Sequence, residues 1–260
     1  MNDSLLRVAP VAFPIAGSIL GMAMEAVFRV RAFATILGVA GLVGSIATAL
    51  GGAVGAPGFG SEIFALDGAG AVLTAAASAF ALASIALAHG YLRPDEEEFP
   101  AELVLLLVLV PAGIGLVAGA KSLILVFLGI ELLSIPLYAL VGLRRKREAS
   151  IEAAVKYFLL GAFAAGFIAY GLSLVYAGEH TLDVAALRGA AARSGAAATG
   201  TALVAAGLLF KISAAPFHFW TPDAYEGRRP RSLRSCRRPR RSRRRWGFCW
   251  YCRCSPRRPG

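Results

Sequence analysis

Cysteine is missing from residues 1–227 of this 260-residue chain, and acidic residues are missing from 228–260. All four cysteines (Cys236, Cys249, Cys252, Cys254) lie in the second stretch. There "CWYCRC" resembles half a metal site, but no second pair and no nearby histidine completes it, so no metal is expected. Charge is scarce as well. Charged residues make up 17% of the chain and hydrophobic ones 57%, with a mean hydropathy of +0.63, which excludes an ordinary soluble domain. The apolar runs lack the alternation of barrel strands, so the fold class is all-α, a polytopic transmembrane bundle. No Ala-x-Ala site closes the first run and more runs follow it, so no cleavable signal peptide is expected.

What is present falls into two compositions. Fourteen of the 27 basic residues are arginines between Arg228 and Arg258, which leaves 13 basic against 16 acidic residues, a net charge of −3, for the rest. Before the tail, several stretches reach the roughly 20 apolar residues that span a bilayer. Seven spanning helices are expected, at about 9–28, 32–54, 68–92, 99–119, 121–143, 149–177 and 198–219, with one short amphipathic helix in the connection before the last. Lys and Arg cluster on alternate connections. Arg29, Arg31, Arg93, Arg144, Arg145, Lys146 and Arg147 fall on one side, and Arg7, Lys121, Arg188 and Arg193 on the other. The richer side is the cytoplasmic one, which puts the N-terminus outside. Gly17 and Gly21, and Gly38 and Gly41, read as small residues at helix contacts.

Three ionisable groups lie inside the apolar stretches. Glu131 sits within "LVFLGIELLSIPLYAL", about 15 Å along the fifth helix at 1.5 Å per residue, near the bilayer midplane. Lys211 lies at a similar depth in "VAAGLLFKISAAPFHFW", and Lys156 in the first third of the sixth helix. A lone charge at bilayer centre costs at least about 2.5–3.5 kcal/mol, so these groups are expected to face one another or a wet cavity. A fixed ion pair that only pins helices is the plain alternative, although such pairs stabilise poorly. Lys156 and Lys121 also have the option of reaching to the interface, and Glu25 reads as solvated. The functional reading is proton handling, because a carboxylate moved towards or away from a lysine switches the lysine between holding and releasing a proton. Pro216 lies five residues after Lys211 and removes the helical partner of the Ile212 carbonyl; His218, Thr221 and Asp223 follow. A broken helix at membrane depth lines protein or water, as at transporter ion sites.

With those residues in view, "FLGIELLSIPLYALVGLRRKREASIEAAVKYFLLGAFAAGFIAYGLSLVYAGEHTLD" and "GLLFKISAAPFHFWTPDAYEG" resemble the N subunits of bacterial respiratory complex I, the proton-translocating NADH:quinone oxidoreductase. The likeness is close over 98–227 and extends plausibly back to Met1. "KYFLLGA" and "PFHFWTPDAYEG" are its specific parts, since sister antiporter-like subunits share the Glu and Lys positions in different surroundings. The resemblance implies that Glu131, Lys156 and Lys211, with His218 beside the break at Pro216, serve proton translocation in an inverted-repeat antiporter-like fold. It also implies no catalytic residue and no cofactor of the chain's own. NADH, FMN, iron–sulfur clusters and quinone are used elsewhere in the complex. The implied partners are the other membrane subunits and the lipid bilayer, in a multi-pass protein of the bacterial inner membrane.

The domains are then 1–97, a three-helix membrane segment; 98–227, a partial channel repeat with helices four to seven; and 228–260, the Arg- and Cys-rich tail. Family members continue with a further helix, its lysine and a second repeat, so a truncated chain, inactive by itself, is expected. The tail suggests a frame shift. Read one base earlier, Arg and Pro codons become Ala, Pro, Thr or Ser, and Cys and Trp codons become Leu, Val or Met. With permitted synonymous codons, the shifted frame from Arg228 can read APTPVAAFLSAPKAVAAAVGF, the continuation expected after "YEG". Residues 228–260 are expected to be out of frame and disordered. Two alternative functions stand beside this one. A stand-alone cation/proton antiporter component shares the buried charges, and a membrane-tethered binder of nucleic acid or anionic lipid would use the arginines. The orientation is directly testable: a cysteine at Arg145 is expected to react with an impermeant thiol reagent from the cytoplasmic side only, and periplasmic labelling would invert the topology.

Overall fold

A computed structural model describes residues 2–28, 30–55, 63–91, 101–143, 148–187, 194–215 and 217–221. They lie within one compact unit, Met1–Arg228. The tail and Pro216 lie outside the described residues, as does the loop holding Arg144, Arg145, Lys146 and Arg147.

The helices are α1 (Asn2–Phe28), α2 (Arg31–Gly55), α3 (Gly68–Tyr91), α4 (Ala101–Ala118), α5 (Leu123–Val141), α6 (Glu148–Glu179), the single turn α7 (Val184–Leu187) and α8 (Gly195–Lys211). The first six long helices, α1 to α6, are long and apolar enough to cross a membrane, and α8 is a shorter apolar helix of 17 residues. Several start at a side-chain cap. Asp67 Oδ1 accepts from the Gly70 N–H (2.6 Å), Asp183 Oδ1 from Ala186 (2.9 Å) and Ser194 Oγ from Ala197 (3.1 Å). Each satisfies a donor that the first helical turn leaves free.

Helices α1 to α4 pack as one group, with α1 against α2 and α4, and α3 against α2 and α4. Leu42, Ala81, Ile85, Val104 and Val108 form part of its core. Helix α5 packs on α4 and α6, and α8 on α6. Large apolar side chains such as Phe80, Leu87 and Phe163 point outward, as a bilayer-facing surface requires. Three contacts bring backbones close at paired glycines. A Cβ on Gly17 would lie 2.8 Å from the Leu37 carbonyl oxygen and 3.2 Å from Gly41 Cα; one on Gly113 would lie 2.7 Å from the Gly129 oxygen; one on Gly171 would lie 2.7 Å from the Gly200 oxygen.

Prolines inside the helices leave carbonyls without partners, and hydroxyls fill in. Pro14 has no N–H for the carbonyl of Pro10, and buried Ser45 on α2 donates to that oxygen at 2.6 Å. Apart from any proline, Ser18 donates to the Leu105 carbonyl and ties α1 to α4 (3.0 Å).

One end of the bundle is stitched by backbone pairing. Bridges join Phe64 to Ala120 and Ser122 to Asp183, and the N–H groups of Ala65, Lys121, Leu123 and Val184 donate to Gly119, Ile63, Leu182 and Lys121 respectively. These segments connect α2 to α3, α4 to α5 and α6 to α8.

The last helix departs from the sequence reading, which carries it to residue 219. It stops at Lys211. Ile212 (φ −88°, ψ 7°) leaves helical geometry and Ser213 takes a left-handed φ of 55°. The N–H groups of Ser213 and Ala214 close the end on Phe210 and Leu209, both at 3.0 Å. The chain resumes as a 3-10 turn, Phe217–Trp220. A reversal at Ser213 thus ends the helix before Pro216 is reached, and Lys211 is its last residue rather than a mid-helix one.

The close crossing of α1 and α2 has a measurable consequence. Gly17→Leu is expected to lower stability by about 1–3 kcal/mol in reversible denaturant unfolding of the detergent-solubilised protein. Gly51→Ala, whose Cβ meets nothing within 4 Å, is expected to leave it unchanged or raise it by up to about 1 kcal/mol.

Candidate proton-handling site

Glu131, Ser134 and Tyr138 lie on α5 at i, i+3 and i+7, which places them on one face of the helix. Lys211 reaches that face from the end of α8. Its Nζ donates to Glu131 Oε1 at 2.9 Å, Tyr138 Oη at 3.0 Å and Ser134 Oγ at 3.3 Å. An ammonium has three N–H donors, so each has an acceptor. The Glu131 and Lys211 side chains are 19% and 12% exposed. Ser134 is buried, and its own hydroxyl donates to the Ile130 carbonyl (2.6 Å), which turns its lone pairs towards the lysine. Nζ also lies 5.6 Å from the Tyr138 ring centroid, within range of a cation–π contact. The C-terminus of α8 adds the negative end of a helix dipole beside the cation.

Helix α6 holds Tyr138 in place. The Tyr157 ring meets it edge-on with centroids 4.5 Å apart, and Phe158 lies at 6.0 Å. Gly161 faces the phenol, and a Cβ there would collide with the hydroxyl.

The structure thus brings together two of the residues singled out from the sequence. Lys156 lies elsewhere: its ammonium is 2.7 Å from Glu152, one turn back on α6, and its side chain is 48% exposed. It stands roughly a quarter turn off the buried stripe of Ala153, Ala164, Ile168 and Val175, as 3.6 residues per turn dictates. His218 is exposed on the 3-10 turn, and Pro216 is outside the described residues. Glu25, read as solvated, is 21% exposed and 4.0 Å from Arg31 Nε. Ser134 and Tyr138 were missed. Their signal was the spacing from Glu131, which puts the polar atoms of an otherwise apolar helix in one row.

Chemically, the arrangement holds one proton between an amine and a carboxylate in a region poor in water. Transfer from Nζ to Oε1 breaks an N–H bond, forms an O–H bond and turns an ion pair into a neutral pair.

The stretch that carries this pair, on α5 and the foreshortened α8, is similar to known proteins. Residues 120–231 match the family described as NADH:quinone oxidoreductase/Mrp antiporter, transmembrane. The chain is, more particularly, similar to proteins named NADH-quinone oxidoreductase subunit N. It is 48% identical over 155 residues to subunit N 1 of Sorangium cellulosum (strain So ce56), covering 56% of this chain and 30% of that protein. It is 43% identical over 135 residues to subunit N 1 of Chloroherpeton thalassium (strain ATCC 35110 / GB-78), covering 51% and 28%. The matched part is therefore less than a third of the length of these relatives. A chain of the respiratory complex I structure from Thermus thermophilus superposes with a TM-score of 0.65 at 34% identity, over 83% of this chain and 47% of that one. With these matches, the six membrane-length helices define a multi-pass protein of the bacterial inner membrane.

The pair's energetics are open to a double-mutant cycle. Glu131→Ala leaves the ammonium without its countercharge and is expected to destabilise the bundle by about 3–5 kcal/mol. Glu131→Ala combined with Lys211→Leu is expected to recover most of that loss, and simple additivity would show that the two groups do not interact.

Proposed function

We propose that this chain serves proton translocation as a membrane subunit of a respiratory NADH:quinone oxidoreductase, with Glu131 and Lys211 as the groups that hold and pass the proton. The observation that carries the reading is the Lys211–Glu131 contact of 2.9 Å between two helices of an antiporter-type domain. Its support from relatives comes from their names and from the likeness to a complex I chain. In this reading electrons pass through other subunits, and this chain contributes charge movement. Its partners are the neighbouring membrane subunits, and the outward apolar faces meet either them or lipid. Lys156, paired on the outer side of α6, serves as a second charge that a neighbouring element can approach.

The stand-alone antiporter reading shares the same pair, and the matched family description names both kinds of protein. Pumping experiments separate them. In membranes whose complex contains this subunit, Glu131→Gln and Lys211→Met are each expected to cut NADH-driven proton pumping at least roughly tenfold. Unchanged pumping in both variants would return the pair to a purely structural role. Cation-driven proton exchange that persists without the other subunits would favour the antiporter.

A further inference from the structure

A cavity of about 670 Å³ opens among α1, α4, α5 and α6, at the end of the bundle opposite the stitched loops. Glu25, Glu102, Tyr138, Gly142 and Ala154 are among the residues that line it. It lies at the ends of α1 and α5 and the starts of α4 and α6, the side on which Arg31 and the basic loop after α5 fall. Two carboxylates at its wall make it a place for water inside an otherwise apolar bundle.

Tyr138 belongs to both this cavity and the ion pair. It lines the cavity, it is 6% exposed, and its hydroxyl accepts from Lys211. Ser134 is one turn deeper on the same face of α5, is 4% exposed, and also accepts from Lys211. Of the three groups that accept from Lys211, Tyr138 is the one that lines the cavity, while Glu131 and Ser134 do not, and its ring packs against Tyr157 and Phe158 with its phenol facing Gly161. At the other end, segments 63–65, 119–123 and 182–184 are joined by backbone pairing.

We propose that Tyr138 is the partition between this cavity and the Glu131–Lys211 pair, and that displacement of its side chain admits water to the pair from the cavity end. This rests on the proton-handling reading above and gives it a direction. Tyr138 is then a positioning residue with two tasks in one side chain. The hydroxyl fixes the ammonium, and the ring keeps solvent from it. A packed aromatic between two discrete positions is an element that can open and close.

The experiment uses the 260-residue chain in proteoliposomes, with Cys236, Cys249, Cys252 and Cys254 changed to serine. Ser134→Cys is the reporter, Ala139→Cys at the cavity wall is the accessible control, and Arg145→Cys marks the side. The probe is a charged, membrane-impermeant methanethiosulfonate. With Tyr138 present, Ser134→Cys is expected to react slowly from either side, while Ala139→Cys reacts from the Arg145 side. Tyr138→Phe keeps the ring and is expected to keep the protection. Tyr138→Ala is expected to speed the reaction of Ser134→Cys at least roughly tenfold, from the Arg145 side only. Tyr138→Leu is expected to fall between, and it decides the matter should the alanine variant not fold. Fast reaction with Tyr138 in place, equal acceleration in Tyr138→Phe, or reaction from the opposite side would overturn the assignment. Labelling needs no NADH-driven activity, so failure of the pumping reading and failure of the partition are told apart.

Discussion

The backbone contact between α6 and α8 sets the position of everything at the site. In a bilayer, apolar side chains gain little by exchanging lipid for each other, so helices associate through close packing of small residues. Gly171 and Gly200 let the two backbones approach until a Cβ on either would lie 2.6–2.7 Å from the other's carbonyl oxygen. Gly207 repeats the approach against Ala164 one turn before Lys211. These contacts fix the register of α8 along α6 and with it the depth of the lysine. Helix α5 leans on the same α6, so the span from Lys211 to Glu131 is crossed by side chains between two helices held by a third.

A second rule runs through the whole bundle: polar groups away from water find partners inside the protein. In α1 to α4 the partners are hydroxyls and carbonyls. Ser45 closes the gap left by Pro14, Ser78 shares a hydrogen bond with Ser45 at 3.1 Å, and Thr74 and Ser78 bond back one turn along α3. None of these hydroxyls and carbonyls changes charge near neutral pH. Between α5 and α8 the same rule is met by an ammonium and a carboxylate. Satisfying them needs the same care, but their protons can move. The chemical difference between the two halves lies in the donor type rather than in the style of packing.

Much of this was legible in the residues. Continuous apolar runs with charged breaks mark the helices, and Glu131 and Lys211 stand out because each is alone in its stretch. The i,i+4 spacing of Glu152 and Lys156 was also there to be seen, and it accounts for a lysine that stays out of the buried cluster. What the residues did not announce is the end of α8. A left-handed conformation is ordinarily the province of glycine or asparagine, and Ser213 adopts it with neither beside it. Pro216 marked a break in this stretch, and the helix ends ahead of it, at Lys211. Tyr138 was equally hidden. An aromatic in an apolar helix reads as packing until the fold shows which cation meets its hydroxyl.

The bridged loops at one end bear on how the bundle can deform. They tie together the connections that join α2 to α3, α4 to α5 and α6 to α8, while the far ends of α5 and α6 flank the cavity. A rigid rod held at one end moves least there and most at the other. Any tilt of α5 against α6 therefore behaves as a lever with its fulcrum at the bridges, and its long arm widens or narrows the space beside Tyr138. Glu131 sits part-way along that arm, facing Lys211 on α8, so a small change in their separation goes with a larger change at the cavity mouth.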